Sequence, residues 1–102
     1  MLEAGNEIMT RREFAESPMA KNGYQLNLTP GCFTATLRAK AEAHPGTLRV
    51  FLDFDDGRQI LAPVYHFLDY LGFREIPNGS RVQVVYEERR GGVFPVKASL
   101  LP

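Results

Sequence analysis

The side chains best suited to chemistry in this sequence are basic and aromatic groups on three predicted strands. Arg38, Lys40 and Arg49 supply positive charge, and Phe51 and Tyr65 supply rings, at positions that a period of two assigns to the outward face. Basic groups neutralise phosphates and rings stack on bases, so this combination is typical of single-stranded nucleic-acid binding. The alternative is a solvated face whose rings pack under the N-terminal segment.

A second basic group lies at a predicted hairpin tip. Arg89 and Arg90 directly precede Gly91 and Gly92, and such loops of small barrels often contact nucleic-acid backbones. The alternative is a solvated tip that only keeps the protein soluble.

The sequence offers no pattern that predicts catalysis or metal binding. Cys32 is the single cysteine, and the two histidines are His44 and His66. The three aspartates at positions 53, 55 and 56 have no clear ligand spacing, and a solvated turn explains them better than a general-acid pair. No nucleophile is paired with a base. We therefore expect a non-enzymatic protein without cofactor or metal.

Composition narrows the remaining classes. The chain has 102 residues, which is the size of one domain. Its 12 basic residues balance its 12 acidic ones, so it is not a strongly basic nucleic-acid binder. No apolar run approaches the roughly 20 residues that span a bilayer, and the first residues lack the features of a secretory signal. We expect a cytoplasmic protein that does not contact a membrane.

Five strands are predicted to position these groups. Alternating hydrophobic residues and turn signals at Pro45-Gly46, Asp56-Gly57 and Gly91-Gly92 delimit them. The predicted strands are Phe33–Ala41, Thr47–Phe54, Gln59–Tyr65, Arg81–Glu87 and Val93–Leu100. Pro63 suggests that the third strand is an edge or carries a bulge, since proline cannot donate to a ladder. Between the third and fourth strands, residues 66–72 predict one or two helical turns that end at Gly72.

The first 30 residues are predicted to be a flexible arm, and residues 31–102 a small β-barrel domain. Within Glu7–Ala20 a short helix is expected, with Thr10 as N-cap, Glu13 in capping-box position and Pro18 at its end. A short strand is expected over residues 23–28. Closing five antiparallel strands into a barrel would hide their edges, and a half-open SH3-like roll is the competing architecture.

The C-terminal half of the chain resembles the cold-shock domain family. Residues 67–76 stand where that family has a loop of the form A-L-x-x-x-G-F-x-x-L, and Asn78–Tyr86 follow at the matching distance. The acidic turn before the third strand also matches, at residues 55–60. The resemblance implies an all-β fold, a five-stranded OB barrel with a helical turn after the third strand. It covers residues 35–101 and is clearest from 55 onward.

The resemblance also implies single-stranded RNA or DNA binding through the sheet, yet the stacking motifs of the family are reduced here. The second strand has one aromatic residue instead of two, and a gapless alignment puts Ala62 and Val64 where the family has an aromatic residue and a histidine. A shift of two residues would instead place His66 there. The predicted nucleic-acid site comprises Arg38, Lys40, Arg49, Phe51, Tyr65, His66, Arg89 and Arg90.

A second hypothesis is that the chain is a protein-interaction or accessory module. It would have kept the barrel and lost the nucleic-acid surface. Its N-terminal arm, with Phe14, Met19 and Tyr24, would pack on the same barrel or form a homodimer with a neighbour. Affinity for single-stranded oligonucleotides separates the two hypotheses.

Overall fold

The protein folds into one antiparallel sheet preceded by a short helical arm. A computed structural model describes residues 7–21, 23–43, 46–65 without the side chain of Tyr65, and 71–102. The strands are β1 (Gly31–Glu42), β2 (Thr47–Phe54), β3 (Gln59–Tyr65), β4 (Arg81–Arg89) and β5 (Gly92–Leu100). Helix α1 (Arg11–Glu16) and a 3₁₀ turn (Pro18–Lys21) precede them, and a second 3₁₀ turn (Phe73–Glu75) lies between β3 and β4. The prediction of five strands in a mostly β protein is confirmed.

The strands pair in the order β3-β2-β1-β4-β5, and all four pairings are antiparallel. This is a Greek-key arrangement, because three consecutive strands form a meander and the fourth returns beside the first. Over the described residues β3 and β5 remain the two edges, so the sheet is not closed into the predicted barrel. Arm residue Gln25 lies at the β3 edge, where its backbone amide and carbonyl bond to Gln59 and Leu61 at 3.1 and 2.9 Å.

The core lies on one face of this sheet and follows the predicted alternation along β2 and β4. Its buried side chains come from β1 to β4 and from the segment after β3, and β5 adds the partly buried Val93 and Ala98. The members from β2 and β4 are Leu48, Val50, Leu52, Phe54, Val82, Val84 and Tyr86. Pro63 lies on β3, an edge strand, as predicted from its missing donor.

A β-bulge in β1 overturns the predicted facing of its second half. The register shifts between Leu37 and Ala39, so that Arg38 is an extra residue without a partner on β2. Because side chains alternate, one extra residue exchanges the two faces beyond it. Ala39 and Ala41 consequently lie opposite Phe51 and Arg49 on the outer face, and Lys40 lies opposite Val50 on the core face.

The prediction that Lys40 faces outward is therefore wrong. Its side chain is 0% exposed, and its ammonium group donates hydrogen bonds to the carbonyl oxygens of Phe73, Arg74 and Ile76 at 3.0, 3.4 and 2.7 Å. These carbonyls belong to the second 3₁₀ turn and the residue after it. Lys40 thus ties this turn to the sheet.

The N-terminal arm packs along the sheet. Thr10 and Glu13 form the predicted capping box at the start of α1, and the helix ends before Pro18. Met9 forms an isolated parallel bridge with Ala41, on the side of β1 that β4 leaves unpaired. The predicted strand over residues 23–28 is reduced to the single parallel bridge of Gln25 with Ile60.

Two predicted features lie partly outside the described residues. The helical turns expected over residues 66–72 fall mostly on residues 66–70, and the turn at His44 and Pro45 also lies outside. Gly72, expected to end a helix, has a φ of 76° and directly precedes the second 3₁₀ turn. None of the helices in the described part of the chain is long and apolar enough to cross a membrane.

Candidate functional site

The outer face of β1 and β2, where the nucleic-acid site was predicted, is covered by the arm. Phe51 points to this face but is only 2% exposed. The ring of Phe14 stacks on it with centroids 5.3 Å apart, and Tyr24 meets it edge-on at 5.1 Å. The small side chains of Ala39 and Ala41 border Phe51 and Arg49 on the same face. The alternative that the outward rings pack under the N-terminal segment is thus confirmed for Phe51.

Arg49 belongs to the same covered face. The carbon at the centre of its guanidinium group lies 4.9 Å from the centroid of the Phe14 ring, a distance at which a cation is attracted to the face of the ring. Phe14 of α1 therefore contacts two of the side chains predicted to bind nucleic acid, the ring of Phe51 and the guanidinium group of Arg49.

Arg38 and Tyr24 share one carboxylate, that of Asp53. Arg38 donates from Nε to Oδ2 of Asp53 at 2.9 Å, and the Tyr24 hydroxyl donates to Oδ1 at 2.9 Å. Burial, together with this hydrogen bond, raises the pKa of Tyr24 to about 12. Tyr24 consequently keeps its proton near neutral pH and acts as a donor that fastens the arm to β2.

The other two acids of the acidic turn are also paired with arginines. Arg81 donates two hydrogen bonds of 2.6 Å to Asp55, which also accepts one of 2.6 Å from Thr34. These bonds hold the pKa of Asp55 well below its usual range, chiefly because of Arg81. Arg58 pairs with Asp56 at 2.9 Å and lowers the pKa of that carboxyl as well. Both acids are ionised at neutral pH and poorly suited to general acid–base chemistry.

The remaining predicted residues do not join the covered face. Arg89 is exposed on β4 and pairs with Glu87 two residues earlier. Arg90 is exposed in the hairpin turn, and Lys40 is in the core. Tyr65 ends β3, but its side chain and all of His66 lie outside the described residues. Of the eight predicted residues, only Arg38, Arg49 and Phe51 are seen to come together on the outer face.

An apolar cleft that we did not predict from the sequence borders residues 26–28 of the arm. It measures about 100 Å³ and lies between the arm, β3 and β5. Three of the most exposed large hydrophobic side chains of the described residues border it: Leu28 at 74%, Leu26 at 57% and Phe94 at 43%. The signal was present in the sequence as Leu26 and Leu28, which the expected alternation would have placed on a strand. The cleft is lined by Leu26, Asn27, Leu28, Leu61, Ala62, Pro63, Tyr86, Val93, Phe94 and Pro95.

The described residues include no group of three or more histidine, cysteine, aspartate or glutamate side chains placed to hold a metal ion. No family model, curated protein or solved structure matches the chain. The likeness to the cold-shock domain family therefore depends on the sequence motifs alone.

Proposed function

We propose that this protein is a non-enzymatic protein-interaction module whose sheet face is occupied by its own N-terminal arm. The observation that carries the proposal is the burial of Phe51 between Phe14 and Tyr24. A single strand that used this face would first have to displace both rings. The arm therefore takes the place that a nucleic acid would need.

The free energy gained when a base stacks on Phe51 nearly equals the free energy lost when Phe14 leaves that ring. Burying a phenylalanine side chain is worth about 1.5–3 kcal/mol, and a base that stacks on an exposed ring gains about 1–3 kcal/mol. Displacing Phe14 to make room for a base thus costs about as much as the new stack returns. With Lys40 in the core and Arg38 paired with Asp53, the face also has few charges left for phosphates.

The proposal includes an OB-like scaffold. The order β3-β2-β1-β4-β5 is the one expected for a five-stranded Greek-key barrel that is opened between β3 and β5. The arm lies in this opening, with Gln25 on the β3 edge. The five strands would then form the whole scaffold except at the opening between β3 and β5, where the arm would take part in closing it.

Fluorescence anisotropy with labelled oligo-dT and oligo-U at low salt tests the proposal. We expect no binding up to a protein concentration of about 100 µM, which bounds the binding free energy at about −5.5 kcal/mol. The same titration is made with Phe14→Ala, which removes one of the two rings that cover Phe51. Micromolar binding by the wild-type protein that weakens with salt would contradict the proposal and favour a nucleic-acid binder.

A further inference from the structure

The exposed hydrophobic surface of the protein is concentrated at the apolar cleft. Leu26, Leu28 and Phe94 are 57%, 74% and 43% exposed and all line it. Leu100, at 57%, is the other large exposed hydrophobic side chain in the described part of the chain and lies outside the cleft. Surface hydrophobic residues that are grouped rather than scattered mark a site of interaction.

The floor of the cleft is the core itself. Ala62 and Tyr86 line it and are almost fully buried members of the core cluster. An apolar group placed in the cleft would therefore extend the core. The volume of about 100 Å³ is smaller than the roughly 150 Å³ of an engineered cavity that holds benzene. It suits one aliphatic side chain and is too small for an acyl chain.

The lining also restricts the charge of an occupant. All ten lining residues are uncharged, so a phosphate or a charged side chain would lose its hydration without gaining a partner. The one buried amide among them, Asn27, is already bonded to Thr29 and to Arg58. The occupant is thus an uncharged, apolar group.

β3 and β5, which border the cleft, are poorly suited to pair with an added strand over a long stretch. The occupant is therefore expected to bind through a side chain. Pro63 on β3 and Pro95 on β5 both line the cleft, and neither has an amide to donate to an added strand.

A second copy of this chain is also a poor match for the cleft. A stable dimer needs about 800 Å² on each partner, whereas a patch of three partly exposed side chains provides roughly a few hundred Å².

We infer that the apolar cleft is the docking site of a partner protein, whose extended segment inserts one aliphatic side chain between Leu28 and Phe94. The inference rests on the proposed function and names the partner's chemistry. Its contact is small and therefore weak and reversible. Neither Phe51 nor Phe14 lines the cleft, so the occupant need not displace the ring that covers Phe51.

Nuclear magnetic resonance titration of the full chain with capped tripeptides tests this inference. The probes are acetyl-Ser-Leu-Ser-amide, the same peptide with central alanine, and the same peptide with central aspartate. We expect the leucine peptide to shift the amide signals of Leu28, Val93 and Phe94 in a saturable way. Central alanine should weaken the affinity about tenfold or more, and central aspartate should abolish it.

Three variants locate the site on the surface. Leu28→Ser and Phe94→Ser change exposed side chains and should leave the fold intact while reducing the affinity for the leucine peptide at least fivefold. Leu100→Ser alters a leucine that is 57% exposed, between Phe94 and Leu28, and lies outside the cleft, so it should have no effect. Equal loss in all three variants, or shifts that arise elsewhere in the spectrum, would overturn the inference.

Two further outcomes are decisive. If neither the leucine peptide nor oligo-dT changes the spectrum, the inference fails while the proposed function stands; if oligo-dT binds, the proposed function itself fails. If the signals of Leu28 and Phe94 shift with protein concentration alone, the cleft holds a second copy, which overturns a partner segment.

Discussion

Lys40 is fully buried, and its ammonium group donates hydrogen bonds to the carbonyl oxygens of Phe73 and Ile76. Buried ammonium groups need such partners, because removing a charge from water without compensation costs several kcal/mol. These two carbonyls and that of Arg74, which also accepts from Lys40, belong to the segment that follows β3. At the residue scale, Lys40 therefore adds hydrogen bonds to the core contacts of Leu71, Phe73 and Ile76 that hold this segment.

Lys40→Met should lower the free energy of unfolding by about 2–4 kcal/mol, because it keeps the length of the side chain but leaves buried carbonyl groups without their donor. Urea unfolding followed by circular dichroism measures the change. Lys97→Met on β5 is the control, since Lys97 is exposed, and it should leave the midpoint almost unchanged. Equal midpoints for both variants would refute a structural role of the Lys40 ammonium group.

Asp55 gives a prediction about acid stability. Its pKa in the folded protein is held below the unfolded value of about 3.9 by the hydrogen bonds from Arg81 and Thr34. The stabilisation is thus fully present above pH 4 and is lost as the pH falls through the folded pKa. The melting temperature of wild type should fall more steeply between about pH 4 and pH 2 than that of Asp55→Asn.

Thermal melts at pH 5, 4, 3 and 2 check this expectation. Glu88→Gln, which removes an exposed carboxylate from the same strand as Arg81, serves as the control for a general change in charge. Parallel melting curves for wild type and Asp55→Asn would show that the pair with Arg81 does not contribute.

At the scale of elements, α1 has only six residues, far below the length at which a helix is stable alone. Its stability must come from docking, through the capping box at Thr10 and the contact of Phe14 with Phe51. The arm in turn covers backbone groups of the sheet. The amides of Glu42 and Leu61 bond to the carbonyl oxygens of Met9 and Gln25.

Phe14→Ala should loosen the arm and speed hydrogen exchange at the amides of Glu42 and Leu61, while amides between β1 and β4 keep their protection. Because Phe14 is only partly buried, the loss of its contacts should cost about 1–2 kcal/mol. Residue-resolved hydrogen exchange measures both. Glu16→Ala changes an exposed residue of the same helix and should leave both amides protected. Uniformly faster exchange over the whole sheet would instead indicate that Phe14 supports the core.

The strands differ in how far their residues reveal their bounds and facing. The bounds of β2 and β3 were predicted to the residue, because turn signals at Pro45-Gly46 and Asp56-Gly57 separate two runs of strand-forming residues. Alternation failed in β1 after Arg38, since alanines at 39 and 41 fit either face and give no sign of the extra residue. Phe51 was correctly predicted to face outward, but its burial depends on contacts with residues 27 and 37 positions away, which a local pattern does not contain.

At the scale of the whole molecule, the arm contacts of Phe14, Tyr24 and Gln25 are all made within one chain. Intramolecular docking benefits from a high effective concentration, so exchange of arms between two chains is not needed to cover Phe51. We expect a monomer of 11.5 kDa in light scattering coupled to gel filtration at micromolar concentration. A stable species of twice that mass would favour a homodimer through the arm.

The extra residue at Arg38 has a consequence for comparing this chain with others. One extra residue is enough to exchange the inner and outer faces of the second half of a strand, and here it places Lys40 in the interior. In a related chain without the extra residue, the side chain that corresponds to Lys40 would face outward. Positions 39–42 should therefore be aligned with a gap beside Arg38, because an ungapped alignment would equate interior with exterior side chains.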